Sequence, residues 1–315
     1  MKKLILWGLS VLISLPLLAQ NSATLKLNLE KNKVYRLNSI SEQTIIQTVN
    51  GNPQTVNSKT QYTLSLKMLD ATPDFMVAEA RFDSILVHSN AMGKTTLINS
   101  ANEGNIASSE AGEIMSVIMN RLSKNALFLK MDYSGKALEI VNSKMLADIV
   151  LRDTSAITLT GPVAAAIKSQ IQGMVSDHSL KTILDMFTYN LPAKQVAAGD
   201  KWSTSQTMNS GGMNLDILTD YQLNNLTGEK AEMSAEAKIK AAANAVPINS
   251  GPSIVTYDDL KGLSKSTIVV DTSSGLVVES RTKTQITGNL GVSGPGYSLQ
   301  IPMEIKGEIK VTAIQ

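Results

Sequence analysis

The chain has 315 residues and no cysteine, which excludes a disulfide framework, a thiolate nucleophile or ligand, and the cysteine-borne lipid anchor of a bacterial lipoprotein. Lysine and arginine total 29 against 27 acidic residues, the excess is Lys2 and Lys3, and the rest is neutral without a like-charge run, so the basic stripe of a nucleic-acid binder is missing. Aromatic residues make up only 4%, too few for platforms that stack sugars or bases, whereas 14 methionines supply adaptable apolar surface.

The first expected element is an export signal at residues 1–19. Lys2 and Lys3 form its basic start, Leu4 to Leu15 its apolar core, and Pro16 ends that core. Leu17 and Ala19 suit the small-residue cleavage rule, with cleavage after Ala19 or Gln20. The apolar run is shorter than the roughly 20 residues a membrane-spanning helix needs. The expectation is a protein of the periplasm or the cell exterior that does not span the membrane once cleaved. A chain of this length buries a sizeable core without disulfides.

Strands follow. Leu25, Leu27 and Leu29 alternate with Lys26, Asn28 and Glu30, and Asn50-Gly51 marks a hairpin turn. Residues 75–88 carry Phe75, Val77, Phe82, Ile85 and Val87 in a strand-like pattern. The segment Met76-Val77-Ala78-Glu79-Ala80-Arg81-Phe82 returns as Met233-Ser234-Ala235-Glu236-Ala237-Lys238-Ile239. Tyr62 and Tyr221 precede the two copies, and Asp132, Gly135 and Glu139 follow the first as Asp271, Gly275 and Glu279 follow the second. This order predicts a tandem duplication of one β-rich unit.

Helices are expected between the copies. Residues 109–124 place Ala111, Ile114, Met115, Ile118 and Leu122 on one face, with Ser109 as N-cap. Residues 144–151 form a short helix with Met145, Leu146, Ile149 and Val150. Gly161-Pro162 opens a third, with Val163, Ile167, Ile171 and Met174 on its apolar face. Residues 177–187 form a fourth, with Leu180, Ile183, Leu184 and Phe187 apolar and Ser176 as cap. The first copy exceeds the second by about the length of the first helix, which reads as an insertion; the second copy has an irregular stretch at 244–252 instead. A boundary between lobes falls at 191–199, giving lobes at 20–190 and 191–315.

In the second lobe, Gly211-Gly212 reads as a turn. Residues 229–243 are rich in Ala, Glu and Lys, which favour helix, yet Met233, Ala235, Ala237, Ile239 and Ala241 alternate with polar residues. The period of two and the repeat both predict a strand. The last strand, 301–313, has Ile301, Met303, Ile305, Ile309, Val311 and Ala313 on one face and Glu304, Lys306, Glu308 and Lys310 among the residues opposite. It is a candidate unpaired edge strand that could pair across a dimer, although its charges and Pro302 argue against open aggregation.

The run Leu191-Pro192, Val196, Gly199-Asp200 and Trp202, together with the stretch from Leu25 through Tyr35 to Tyr62, resembles an uncharacterised family of exported proteins of Gram-negative bacteria. That resemblance implies export and brings no activity and no catalytic residues. An exported antiparallel sheet with helices on one side is similar, at fold level alone, to the half-barrel lipoprotein carriers of the periplasm.

No constellation for chemistry stands out. Asp177, His178 and Ser179 are adjacent on a helix start and cannot line up as a relay. Asp70 with Asp74, and Asp258 with Asp259, fit turns better than calcium loops. Glu79 and Glu236 precede Arg81 and Lys238 by two and belong to solvated strand faces. No metal site, cofactor motif or catalytic residue is expected. The reading is therefore mainly β with α insertions: tandem antiparallel meanders with helices covering one side. Met115, Ile118, Met119, Leu122, Met145, Ile149, Met174 and Leu184 are either ordinary core or the wall of an apolar groove. Two functions follow: binding of a lipid, acyl chain or other hydrophobic small molecule there, or a structural or interaction module whose charged strand faces meet an envelope protein.

Overall fold

The structure, a computed structural model, describes residues 22–210, 213–243, 245, 247–250 and 253–314. The expected export signal and the turn expected at Gly211-Gly212 lie outside these residues. The first half runs β1 (Ser22–Leu25), β2 (Val34–Val49), β3 (Asn52–Ala71), β4 (Met76–Ala91), β5 (Lys94–Asn99), α1 (Ala111–Ser123), β6 (Leu127–Met131), β7 (Ala137–Ile140), α2 (Ser143–Val150), α3 (Gly161–Met174) and α4 (Asp177–Thr188). The second runs β8 (Lys194–Ala197), β9 (Lys201–Ser210), β10 (Met213–Thr227), β11 (Lys230–Ala241), β12 (Ile248–Ser250), β13 (Ser253–Asp271), β14 (Val277–Gly294) and β15 (Tyr297–Ile314).

Local chemistry explains most of these boundaries. Asn50 (φ 50°) and Gly51 (φ 82°) join β2 to β3 with positive φ at both central positions, the primed turn that matches strand twist. β11 is a strand, as its period predicts. Ala231, Met233, Ala235, Ala237 and Ile239 are buried, and pairing with β10 and β13 outweighs helix propensities of a few tenths of a kcal/mol per residue. α4 opens on Ser176, whose Oγ accepts from the Ser179 N–H at 3.2 Å, and Pro162 sits in the first turn of α3. α1 differs in detail: Glu110, not Ser109, is its N-cap, without a side-chain cap bond. The expected lobe boundary contains β8, which pairs with β1.

Among the described residues, all strands except β1 and β8 join one antiparallel sheet of 13 strands. Its path is β7-β6-β4-β3-β2-β15-β14-β13-β11-β10-β9, with β5 on β4 and β12 on β13. β15 is therefore central, not the free edge the sequence suggested. Its charges lie on one face, which says nothing of its edges, and both edges are paired, to β14 and β2. Pro302 fits because the ladder with β2 begins only at Met303, so its missing N–H leaves no partner unsatisfied.

The sheet curls until its two ends meet one helix. α4 packs against both β7 and β9, the termini of the path, and Trp202 of β9 donates Nε1–H to the Asn190 carbonyl at 3.2 Å. Along β7, α4 replaces a missing strand. Asp185 accepts the Ala137 N–H at 2.7 Å, Asp177 accepts the Ile140 N–H at 3.3 Å, and Lys181 donates to the Leu138 carbonyl at 3.4 Å. The spacing i, i+4, i+8 puts these three on one helix stripe, which satisfies an edge that would otherwise be a template for aggregation.

One apolar cluster joins Leu25, Leu27 and Leu29 to sheet residues such as Leu66, Phe82, Met233 and Val270 and to Ile118, Leu146, Ile171 and Leu184 of the helices. A second, formed by Ile217, Ile239, Ile286 and Ile305 among others, lies farther along the strands. Between them the same strand faces carry hydroxyl pairs: Ser264 with Thr284 at 2.7 Å and Ser266 with Thr282 at 2.8 Å.

Candidate binding groove

The face opposite these clusters is where strand alternation places the charged residues. Two cross-strand rows run over six consecutive strands, β4, β3, β2, β15, β14 and β13. The first is His88, Lys59, Glu42, Glu308, Lys283 and Lys265, each facing the next in register. The second is Asn90, Asn57, Thr44, Lys306, Gln285 and Leu263. These residues line one open groove of about 960 Å³. Only Leu263 among the twelve side chains is wholly apolar, and the carbon stems of the lysines and other long polar side chains supply the rest of the groove's apolar surface.

The groove's carboxylates are engaged. Glu42 meets Lys59 at 2.8 Å, and Glu308 takes a two-pronged contact from Arg281, Nε at 2.9 Å and Nη2 at 3.0 Å, with Lys310 at 3.3 Å. Glu304 at the rim accepts from Lys306 at 3.0 Å and Gln285 at 2.8 Å. Hydrogen bonds from these cations hold Glu42, Glu304 and Glu308 below the usual carboxylate range, and Glu308 in turn raises Arg281. Thr44 donates to Asn57 Oδ1 at 2.8 Å. Carboxylates so stabilised as anions are poor proton carriers. The groove is equipped to bind, with four lysines, two glutamates and several amides and hydroxyls on its walls.

The methionine-helix residues fall elsewhere. Met115, Ile118, Met119, Leu122 and Leu184 are buried in the main apolar cluster, and Met174 is partly buried against it. Ile149 is half-buried, whereas Met145 is 50% exposed. Glu79 is clamped between Lys67 at 2.8 Å and Arg81 at 2.5 Å, and Glu236 lies 3.8 Å from Lys265. Asp177 pairs with Lys181 at 2.8 Å, and His178 is exposed. Sequence reasoning assigned Glu304, Lys306, Glu308 and Lys310 to one polar face but did not find the groove, because strand adjacency is not written in alternation. Among the described residues, no helix is long and apolar enough to cross a membrane.

Residues 74–277 match a family described as "Family of unknown function (DUF6263)". No curated protein matches. Among solved structures the chain is similar to an outer membrane channel from Pseudomonas putida F1, at 8% identity and a TM-score of 0.26, covering 91% of this chain and 97% of that one. It is also similar to a DUF1329 family protein from Desulfovibrio piger, at 8% identity and a TM-score of 0.14, covering 86% and 83%. A domain described as an outer membrane lipoprotein-sorting protein, from Vibrio parahaemolyticus, matches at 8% identity and 0.13 with the same coverage. Likenesses at this level carry no conclusion about mechanism.

Proposed function

The chain belongs to DUF6263, a family of unknown function, and for it we propose a non-enzymatic binding role in the cell envelope, with the polar groove as working surface and a protein as partner. One observation carries this reading: six consecutive strands present charged and hydrogen-bonding side chains to a single open groove, and its carboxylates are ion-paired. Export rests on the basic start and apolar core of residues 1–19. To test the role, a photo-crosslinking residue is placed at Asn57 or Gln285 and, as control, at Met92 on an exposed hairpin tip. A partner trapped from the groove alone, and rebound when both proteins are pure, supports the role. Equal or absent adducts at the two places reject it.

Within this reading the sheet descends from a duplicated meander whose apolar face the helices cover. Support comes from strand order, since β7-β6-β4-β3-β2 and β14-β13-β11-β10-β9 run in the same sense on either side of β15. Two turns add to it. Asp132 accepts the Ser134 N–H and Asp271 the Ser274 N–H, at 2.9 and 2.7 Å, and each turn has a glycine at positive φ, Gly135 and Gly275. Residues 27 and 28 tie the two turns together, Leu27 N–H to the Tyr133 carbonyl and Asn28 N–H to the Ser274 carbonyl, both 2.8 Å. Tyr62 and Tyr221 are not equivalents: Tyr221 faces Ala235, whereas Ala78, the repeat counterpart of Ala235, faces Met68.

A second reading, binding of a lipid or acyl chain, draws on exposed apolar residues near the β7 end of the sheet. Leu138, Val141, Met145 and Met186 are exposed, in or beside β7, α2 and α4. Native mass spectrometry of protein taken from its own cells, followed by solvent extraction, separates the two. A released apolar mass favours this reading, and a bare monomer counts against it.

A further inference from the structure

We infer that the groove receives an acidic, extended peptide segment of its partner, with carboxylates seated at Lys265 and Lys283; this rests on the binding role proposed above. Lys265 of β13 and Lys283 of β14 stand directly opposite each other on the same face. Like charges in facing positions destabilise a sheet, so a ladder carrying such a pair needs a compensating charge. The nearby carboxylates supply it only in part: Glu236 of β11 faces Lys265 from the other side, at 3.8 Å. Glu308, which faces Lys283 from β15, is held by Arg281 and Lys310, and Glu42 by Lys59. Among the described residues Lys283 forms no ion pair, and Lys265 has only Glu236, at 3.8 Å.

The violation recurs on the same face. Lys261, four residues from Lys265 along β13, faces Lys240 of β11, and neither is ion-paired among the described residues. Carboxylates flank these pairs, Glu236 facing Lys265 and Asp216 facing Lys240, but among the described residues only Lys265 of the four lysines is ion-paired, which leaves positive charge on this face for a ligand to meet. The fold assembles this basic strip from lysines scattered between residues 240 and 283. The chemistry of the walls favours a peptide. Among the described residues no Phe, Tyr or Trp lines the groove for a sugar ring to stack on, whereas Asn57, Asn90, Gln285 and Thr44 offer donors and acceptors to peptide groups. At a strand spacing of about 4.8 Å, six strands span about 24 Å, the length of roughly seven extended residues.

The test uses the mature chain and labelled twelve-residue peptides of alternating Glu-Gly, Gln-Gly and Lys-Gly, read by fluorescence anisotropy at low and physiological salt. The Glu peptide should bind at least tenfold more tightly than the Gln peptide, with affinity falling as salt rises. The double variant K265Q/K283Q should lose at least tenfold, while K144Q/K168Q, on the helices, changes nothing. K283Q alone should raise the thermal midpoint of the free protein, because it relieves a facing like charge. Equal binding of Glu and Gln peptides, or unchanged binding by K265Q/K283Q, overturns the inference. Tighter binding of polyphosphate or of anionic phospholipid vesicles through the same lysines also overturns it. A partner crosslinked from the groove whose binding ignores K265Q/K283Q would leave the binding role standing and remove the acidic segment. Neither partner nor peptide binding would remove both.

Discussion

Replacing Asp185 with asparagine should stabilise the protein at neutral pH. The carboxylate stands between α4 and the edge strand β7, where it accepts the Ala137 N–H at 2.7 Å. Burial pushes its pKa up from an ordinary value near 3.8 to about 6, against the hydrogen bond from Ala137 and the pull of Lys136. The folded protein thus binds this proton more tightly than the unfolded chain. The associated stability is fully present below about pH 3.8 and is lost as pH rises through about 6. A rise of that size corresponds to about 3 kcal/mol once the group is ionised. Asparagine keeps the acceptor oxygen and removes the charge, at a cost of about 1 kcal/mol for a neutral in place of a charge-assisted hydrogen bond. D185N should therefore gain about 1–2 kcal/mol at pH 8 and nothing near pH 3.5. D185A, which leaves the Ala137 N–H unpaired, should lose about 1–3 kcal/mol at low pH. Urea unfolding followed by the fluorescence of Trp202, the only tryptophan besides Trp7, measures both. A D185N difference that is absent at pH 8, or constant from pH 4 to 8, refutes the reasoning.

Other expected outcomes follow from single contacts. A Cβ at Gly135 would lie 2.1 Å from the Thr188 carbonyl and one at Gly275 2.2 Å from the Lys26 carbonyl, whereas Gly228, also at positive φ, has open space. Urea titration should show G228A costing about 1 kcal/mol and G135A and G275A at least about 3 kcal/mol or failing to fold; equal costs would contradict the close approach. Leu27, fully buried beside both turns, should cost about 3 kcal/mol on truncation to alanine, again by urea unfolding. Glu79, whose carboxyl is held below its usual range by Lys67 and then Arg81, should show the opposite pH sign from Asp185. E79Q should lose up to about 1 kcal/mol at pH 7, the gap closing as acid protonates the wild-type carboxylate; a gap that widens in acid would reverse the assignment.

The sequence by itself determined the periodic features. Alternation over 229–243 identified a strand against helix propensity, Asn50-Gly51 a primed turn, and Ser176 a helix start, because each depends on neighbours within a few residues. It also marked the polar face of β15. Tertiary structure decided which strands adjoin. β15 is central because β2, more than 250 residues earlier in the chain, closes on it. Whether a face is hollow, which lysines face each other, and whether Met115 or Met145 is buried all depend on that long-range pairing. Periodicity fixes the side of a strand to which a residue belongs. It carries no information about the strand that comes to lie beside it, because register and adjacency are set by the packing of the whole sheet.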